Sequence, residues 1–144
     1  MNLGNYTVKA AEIIQQAQQL AFNAQAASIE PAHILKALIE APDTPIEYLL
    51  KKNNVTLTIV AKKLEELLAT LPRVSGEAAQ QISREANTLL LRTGSCLQLF
   101  KDEFVTPEHL LLASVQGDDV VGKLLKNAGL TEVDLITSIK ELRK

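Results

Sequence analysis

Apolar residues recur along this chain with the 3.6-residue period of an α-helix, in eight separate stretches. The first stripe is Ala10, Ile13, Ile14, Ala17, Leu20, Ala21 and Ala24, with Gln15, Gln16, Gln18 and Gln19 on its wet side and Thr7 as its N-cap. A second helix starts at Pro31, where the fixed φ of proline suits a first helical position and its missing N–H costs nothing. The cluster Ala41-Pro42-Asp43-Thr44-Pro45 ends it. Thr44 and Pro45 then read as N-cap and first residue of a third helix, which carries Ile46, Leu49 and Leu50 and fades at Asn53-Asn54. Thr56 caps a fourth, with Ile59 or Val60, Leu64, Leu67, Leu68 and Leu71 on its stripe.

The same four stripes then recur. Ser83 takes the place of Thr7, and Ala86, Leu89, Leu90, Thr93, Cys96, Leu97 and Phe100 follow 76 residues after the first stripe. Pro107, behind its N-cap Thr106, matches Pro31, and His109 matches His33. Gly117 stops this sixth helix, and Asp118 opens a seventh with Val120, Val121, Leu124, Leu125 and Ala128 before Gly129 as its C-cap glycine. The offset falls to 75 there, as a one-residue loop deletion requires, so Thr131 matches Thr56. Thr131 and Asp134 resemble a capping box for the eighth helix, with Leu135, Ile136, Ile139 and Leu142. The expected fold is all-α: eight helices as two four-helix repeats, residues 6–71 and 81–144, joined by a linker over 72–80. Four short helices cannot cover their own apolar faces; two sets packed face to face with a pseudo-twofold relation can. The last helix reaches Lys144 with no terminator, which suggests a longer parent chain.

Composition narrows the function. The 144 residues suit one domain burying roughly 70% of the unfolded surface. Hydrophobic content is 47% but aromatic content only 3%, so the core is aliphatic. A net charge of −2 offers no basic face for nucleic acid. Cys96 is the single cysteine, which excludes an internal disulfide and is consistent with a reducing compartment. No signal pattern or membrane-length apolar run is present, so a cytoplasmic domain is expected.

Reactive chemistry finds little footing. Gly117–Lys123 fits the front of a phosphate loop, GxxxxGK, but Leu124 stands where a magnesium-binding Ser or Thr belongs. Two aspartates would repel phosphate, and no strand precedes. His33 and His109 have alanine four residues on, at Ala37 and Ala113, so neither starts a metal set. Their matched places at two helix starts point to capping or packing. Cys96 reads as a buried small hydrophobe. Asp102, Glu103 and Glu108 bracket the sixth helix start, where the helix dipole favours carboxylates. Phe22 and Leu91 lie off the stripes, either packed between the repeats or exposed as partner contacts. No catalytic or metal-binding set emerges.

Four segments carry a resemblance: Asn5–Ala21, Leu71–Gly76 (LPRVSG), Asp102–Ala113 (DEFVTPEHLLLA) and Lys123–Gly129 (KLLKNAG). Together they resemble the Clp N-terminal repeat domain, and within that family the ClpB type of AAA+ disaggregase. The resemblance implies a non-enzymatic domain that caps a hexameric ATPase ring, captures unfolded or aggregated polypeptide and passes it to the pore. ATP and magnesium would belong to other modules of the parent chain. It further implies substrate-handling roles for Thr7, Asp102 and Glu108, and a groove near Arg92, Cys96 and His109, where this chain departs from the family's aliphatic residues. The alternative it leaves open is an adaptor-docking domain of the ClpA or ClpC type, in an unfoldase of a Clp protease.

Overall fold

The computed structural model describes residues 2–76 and 81–144. It contains eight helices: α1 (Val8–Asn23), α2 (Pro31–Glu40), α3 (Ile46–Lys52), α4 (Leu57–Leu68), α5 (Arg84–Phe100), α6 (Pro107–Gln116), α7 (Val120–Asn127) and α8 (Glu132–Leu142). Among the described residues there is no β-strand, only three isolated backbone pairings. The caps follow the local rules. Thr7 Oγ1 accepts the Ala10 N–H at 3.2 Å, and Ser83 Oγ the Ala86 N–H at 3.0 Å. Asn54 and Gly129, matched across the repeats, both take positive φ after their helices. The next residue then closes onto the helix, Val55 N–H on Leu50 O and Leu130 N–H on Leu125 O.

Two starts shift by one residue from expectation. Pro45 is the N-cap of α3 rather than its first residue, because its ψ of 11° is not helical. Asp119, not Asp118, caps α7. Part of the expected linker is docked rather than free: Ala27 N–H bonds Pro72 O and Val74 N–H bonds Gln25 O, which straps 72–74 to the α1–α2 loop. Residues 77–80 of that linker lie outside the described residues.

The two proline-started helices form the centre. Nine of the ten residues of α6 are buried, and seven of the ten of α2. Such all-round burial is what a helix at the middle of a bundle shows. The two halves exchange contacts in matched pairs: α1 meets α6 as α5 meets α2, α3 meets α8 as α7 meets α4, and α3 meets α6 as α7 meets α2. The backbone repeats this exchange. Tyr6 pairs with Val105, and Ile29 with Ile82, each residue matching its counterpart's partner 76 positions away. A twofold relation between the repeats requires that reciprocity.

The single-residue loop deletion has a steric consequence. A Cβ on Gly122 would lie 1.9 Å from Gly117 O, so the shorter α6–α7 loop admits only glycine there. The matched residue in repeat one is Glu47, which is exposed.

Candidate functional site

Thr106 ends the extended backbone that leads into α6, and its N–H donates to Nδ1 of His109 at 2.8 Å. In repeat one the Glu30 N–H donates to Nδ1 of His33 at 2.9 Å. Each imidazole thus fills the role that Glu usually plays at the third helical position, which satisfies an orphan backbone donor. Because Nδ1 accepts, the ring proton sits on Nε2. Both rings are almost fully buried, and burial lowers their pKa values against the opposing pull of Glu30 on His33 and of Asp102 on His109. With Nδ1 committed to the backbone, neither ring is a free base or a two-sided ligand. Of the two readings left open for these histidines, capping or packing, the backbone contacts show capping.

Repeat two adds an ionic cluster over His109. Asp102 Oδ2 lies 2.8 Å from His109 Nε2, though off the direction of a good hydrogen bond. Arg143, at the end of α8, contacts Asp102 and reaches Glu108 Oε2 at 2.9 Å. Its guanidinium also lies 5.2 Å from the centre of the Phe100 ring, which in turn tilts against His109 at 5.7 Å. Thr106 Oγ1 donates to Glu108 Oε2 at 3.2 Å. Asp102 and Glu108, two of the three expected substrate-handling residues, are therefore joined through one arginine.

Thr7 is brought to the same corner by the backbone: its N–H bonds Val105 O at 2.9 Å, between Asp102 and Glu108 in sequence. All three residues thus gather at one end of the α5–α6 turn. Phe104 beside them is half exposed, at 50%. Sequence reasoning missed Arg143. Its signal was available in the repeat itself, since Leu68, Ala26 and Ala32 of repeat one stand where Arg143, Asp102 and Glu108 stand in repeat two. Three apolar-to-charged exchanges at matched places mark a cluster.

The groove implied near Arg92, Cys96 and His109 does not present those side chains. Cys96 and His109 have no exposed surface, and the Arg92 guanidinium is turned onto Ala113 O at 2.8 and 3.1 Å. Burial, with Glu132 adding and Arg92 opposing, pushes the Cys96 thiol up to about 11, so it stays protonated and unreactive at neutral pH. Phe22 and Leu91 are exposed, at 53% and 69%, rather than packed between the repeats. In the phosphate-loop-like stretch, Asp119 Oδ1 accepts the Gly122 N–H at 2.9 Å, so a carboxylate already holds an amide that a phosphate would need. Among the described residues no three potential metal ligands converge, and no helix is long and apolar enough to cross a membrane.

Comparison with known proteins places the fold in a family. Residues 5–128 match the Clp repeat (R) N-terminal domain. Chaperone protein ClpB of Bacteroides thetaiotaomicron is 35% identical over 144 residues, covering 100% of this chain and 17% of the relative. The chain therefore spans about a sixth of the length of such relatives. The Hsp104 N-terminal domain from Candida albicans superposes with a TM-score of 0.77 at 26% identity, over 96% of this chain and 91% of that one. A ClpV N-domain in complex with a VipB peptide shares the fold, with a TM-score of 0.77 at 15% identity over 96% and 89%. A profile match over most of the chain and a ClpB relative aligned along all of it lead to one conclusion: the chain belongs to the Clp repeat N-terminal domain family.

Proposed function

We propose that this chain is the substrate-engaging N-terminal domain of a ClpB-type ATP-dependent disaggregase, binding unfolded or aggregated polypeptide and passing it to a hexameric AAA+ ring. The observation that carries the reading is the 35% identity to a ClpB chaperone across every residue of the chain. The gathering of Thr7, Asp102 and Glu108 at one corner supports it: the partly exposed ion pairs of Arg143 with Asp102 and Glu108 form a surface suited to weak, repeated contact. A client without fixed structure loses chain entropy at each encounter, so tolerant and weak binding fits the task. ATP and magnesium belong to the rest of the parent chain in this reading, and the setting is the cytoplasm. The second reading is the adaptor-docking N-domain of a ClpA- or ClpC-type unfoldase of a Clp protease; the ClpV N-domain, which shares the fold, is seen in complex with a VipB peptide.

An NMR titration of the 144-residue chain with a reduced, permanently unfolded client tests the proposal. Resonances of Thr7, Asp102, Glu108 and the neighbouring Phe104 are expected to shift. A client that leaves all four unmoved at millimolar concentration refutes this face as the binding site.

A further inference from the structure

In repeat one, the place that Arg143, Phe100 and Asp102 fill in repeat two is open. A groove of about 390 Å³ lies there between the end of α1, the start of α2, the end of α4 and residues 71–73. That volume falls in the range of about 300–1,000 Å³ typical of ligand sites. Its apolar walls include Leu20, Leu68, Leu71 and Pro72, and His33 lines it. Leu68 matches Arg143, Ala24 matches Phe100, and Ala26 matches Asp102, so the plug, the ring beneath it and a carboxylate are all replaced by aliphatic side chains.

The polarity at the rim is reversed as well. Repeat two presents carboxylates closed by an arginine. Repeat one presents donors. Arg73 is exposed and has no carboxylate partner among the described residues. His33 keeps a proton on Nε2 because Nδ1 accepts from Glu30 N–H. Asn23, also on the lining, accepts from the Gln19 amide through Oδ1, and its own amide N–H groups are not used in that bond. The one carboxylate among the described residues that line the groove, Glu65, is held by Lys36, which also pairs with Glu40 at 3.2 Å. The backbone bonds of 72–74 to the α1–α2 loop fix Arg73 at the rim.

We propose that this groove binds a short extended peptide segment in which an aliphatic side chain is followed by a carboxylate. The aliphatic group lies against Leu20, Leu68 and Leu71, and the carboxylate meets Arg73. This is a second binding surface, separate from the corner of Thr7, Asp102 and Glu108. It rests on the client-binding reading only in assigning peptide as the ligand.

The test is an NMR titration of the full 144-residue chain with the capped peptide GLDLEG and its charge-swapped form GLKLKG. With GLDLEG, shifts are expected at Leu20, His33, Leu68 and Arg73. R73E is expected to weaken binding about fivefold, in line with an exposed ion pair, and GLKLKG to bind R73E better than the wild type. L68R, which installs the plug of repeat two, is expected to abolish binding; circular dichroism checks its folding, and R73E at an exposed site decides the matter if L68R unfolds. Equal binding of the two peptides to the wild type, or unchanged binding by R73E, overturns the proposal. Shifts at Arg73 with none at Thr7, Asp102 and Glu108 in the unfolded-client titration keep the groove and remove the client corner. Peptide shifts confined to that corner keep the corner and remove the groove.

Discussion

His33 and His109 occupy matched helix positions and accept matched backbone protons, yet their surroundings have diverged. Around His109, one arginine from α8 closes two carboxylates and an aromatic ring into a filled corner. Around His33, four matched positions are Ala24, Ala26, Ala32 and Leu68, and a groove remains. The helix-capping contact is local, so duplication carried it into both halves. The corner is non-local, so a few exchanges could turn one copy into an ionic surface and leave the other an apolar cleft. A duplicated scaffold can in this way hold two unlike surfaces at equivalent places without altering its core.

The largest expected effect separates the two repeats at their shortened loop. G122A should destabilise the chain by about 3 kcal/mol, because the new methyl meets backbone that has no room to retreat. The matched change in repeat one, E47A, should alter stability by no more than about 0.5 kcal/mol. Urea denaturation of both variants measures the contrast, and equal losses would mean the loops are equivalent after all.

A smaller effect is expected in the corner of repeat two. R143A leaves Asp102 and Glu108 close together and partly shielded from water, with side-chain exposures of 23% and 12%. The loss should be about 2 kcal/mol, below that of a fully buried pair because water still reaches the cluster. The triple variant D102A/E108A/R143L copies repeat one into repeat two. It should return to within about 1 kcal/mol of the parent, since aliphatic packing commonly replaces a shielded ion cluster without loss. Thermal melts of the single and triple variants decide whether charge or packing holds the corner.

The smallest effect is shared by both repeats and concerns pH. Burial lowers the pKa of each histidine in the folded state, so below the ordinary value of about 6.5 the unfolded chain binds protons that the folded chain refuses. Stability is therefore complete above that value and falls as pH drops through it toward the folded-state pKa. Each histidine should contribute a loss of at most about 1.4 kcal/mol per pH unit in this window. Protonation of Nδ1 also removes the acceptor for the Glu30 or Thr106 N–H. H33Q should remove one of the two contributions. R143A should raise the His109 pKa, because Asp102 then acts on the imidazole without the opposing guanidinium. NMR titration of the two ring resonances measures both shifts and shows how far the repeats differ.

The sequence by itself determined the eight helices, most of their caps, the repeat and the place of the two histidines at matched helix starts. Each of these rests on residues three or four apart, or on a period that a single strand of text displays. Tertiary structure alone decided what lies at the corners. Arg143 reaches Glu108 and Asp102 across 35 and 41 residues, and no local rule pairs them. Nor does helical periodicity reveal that His109 lies wholly inside, since a stripe says which face is apolar and not how much of it another helix covers. The open groove of repeat one depends on the size and charge of side chains that meet from four chain segments, and only their assembly in space brings those segments together.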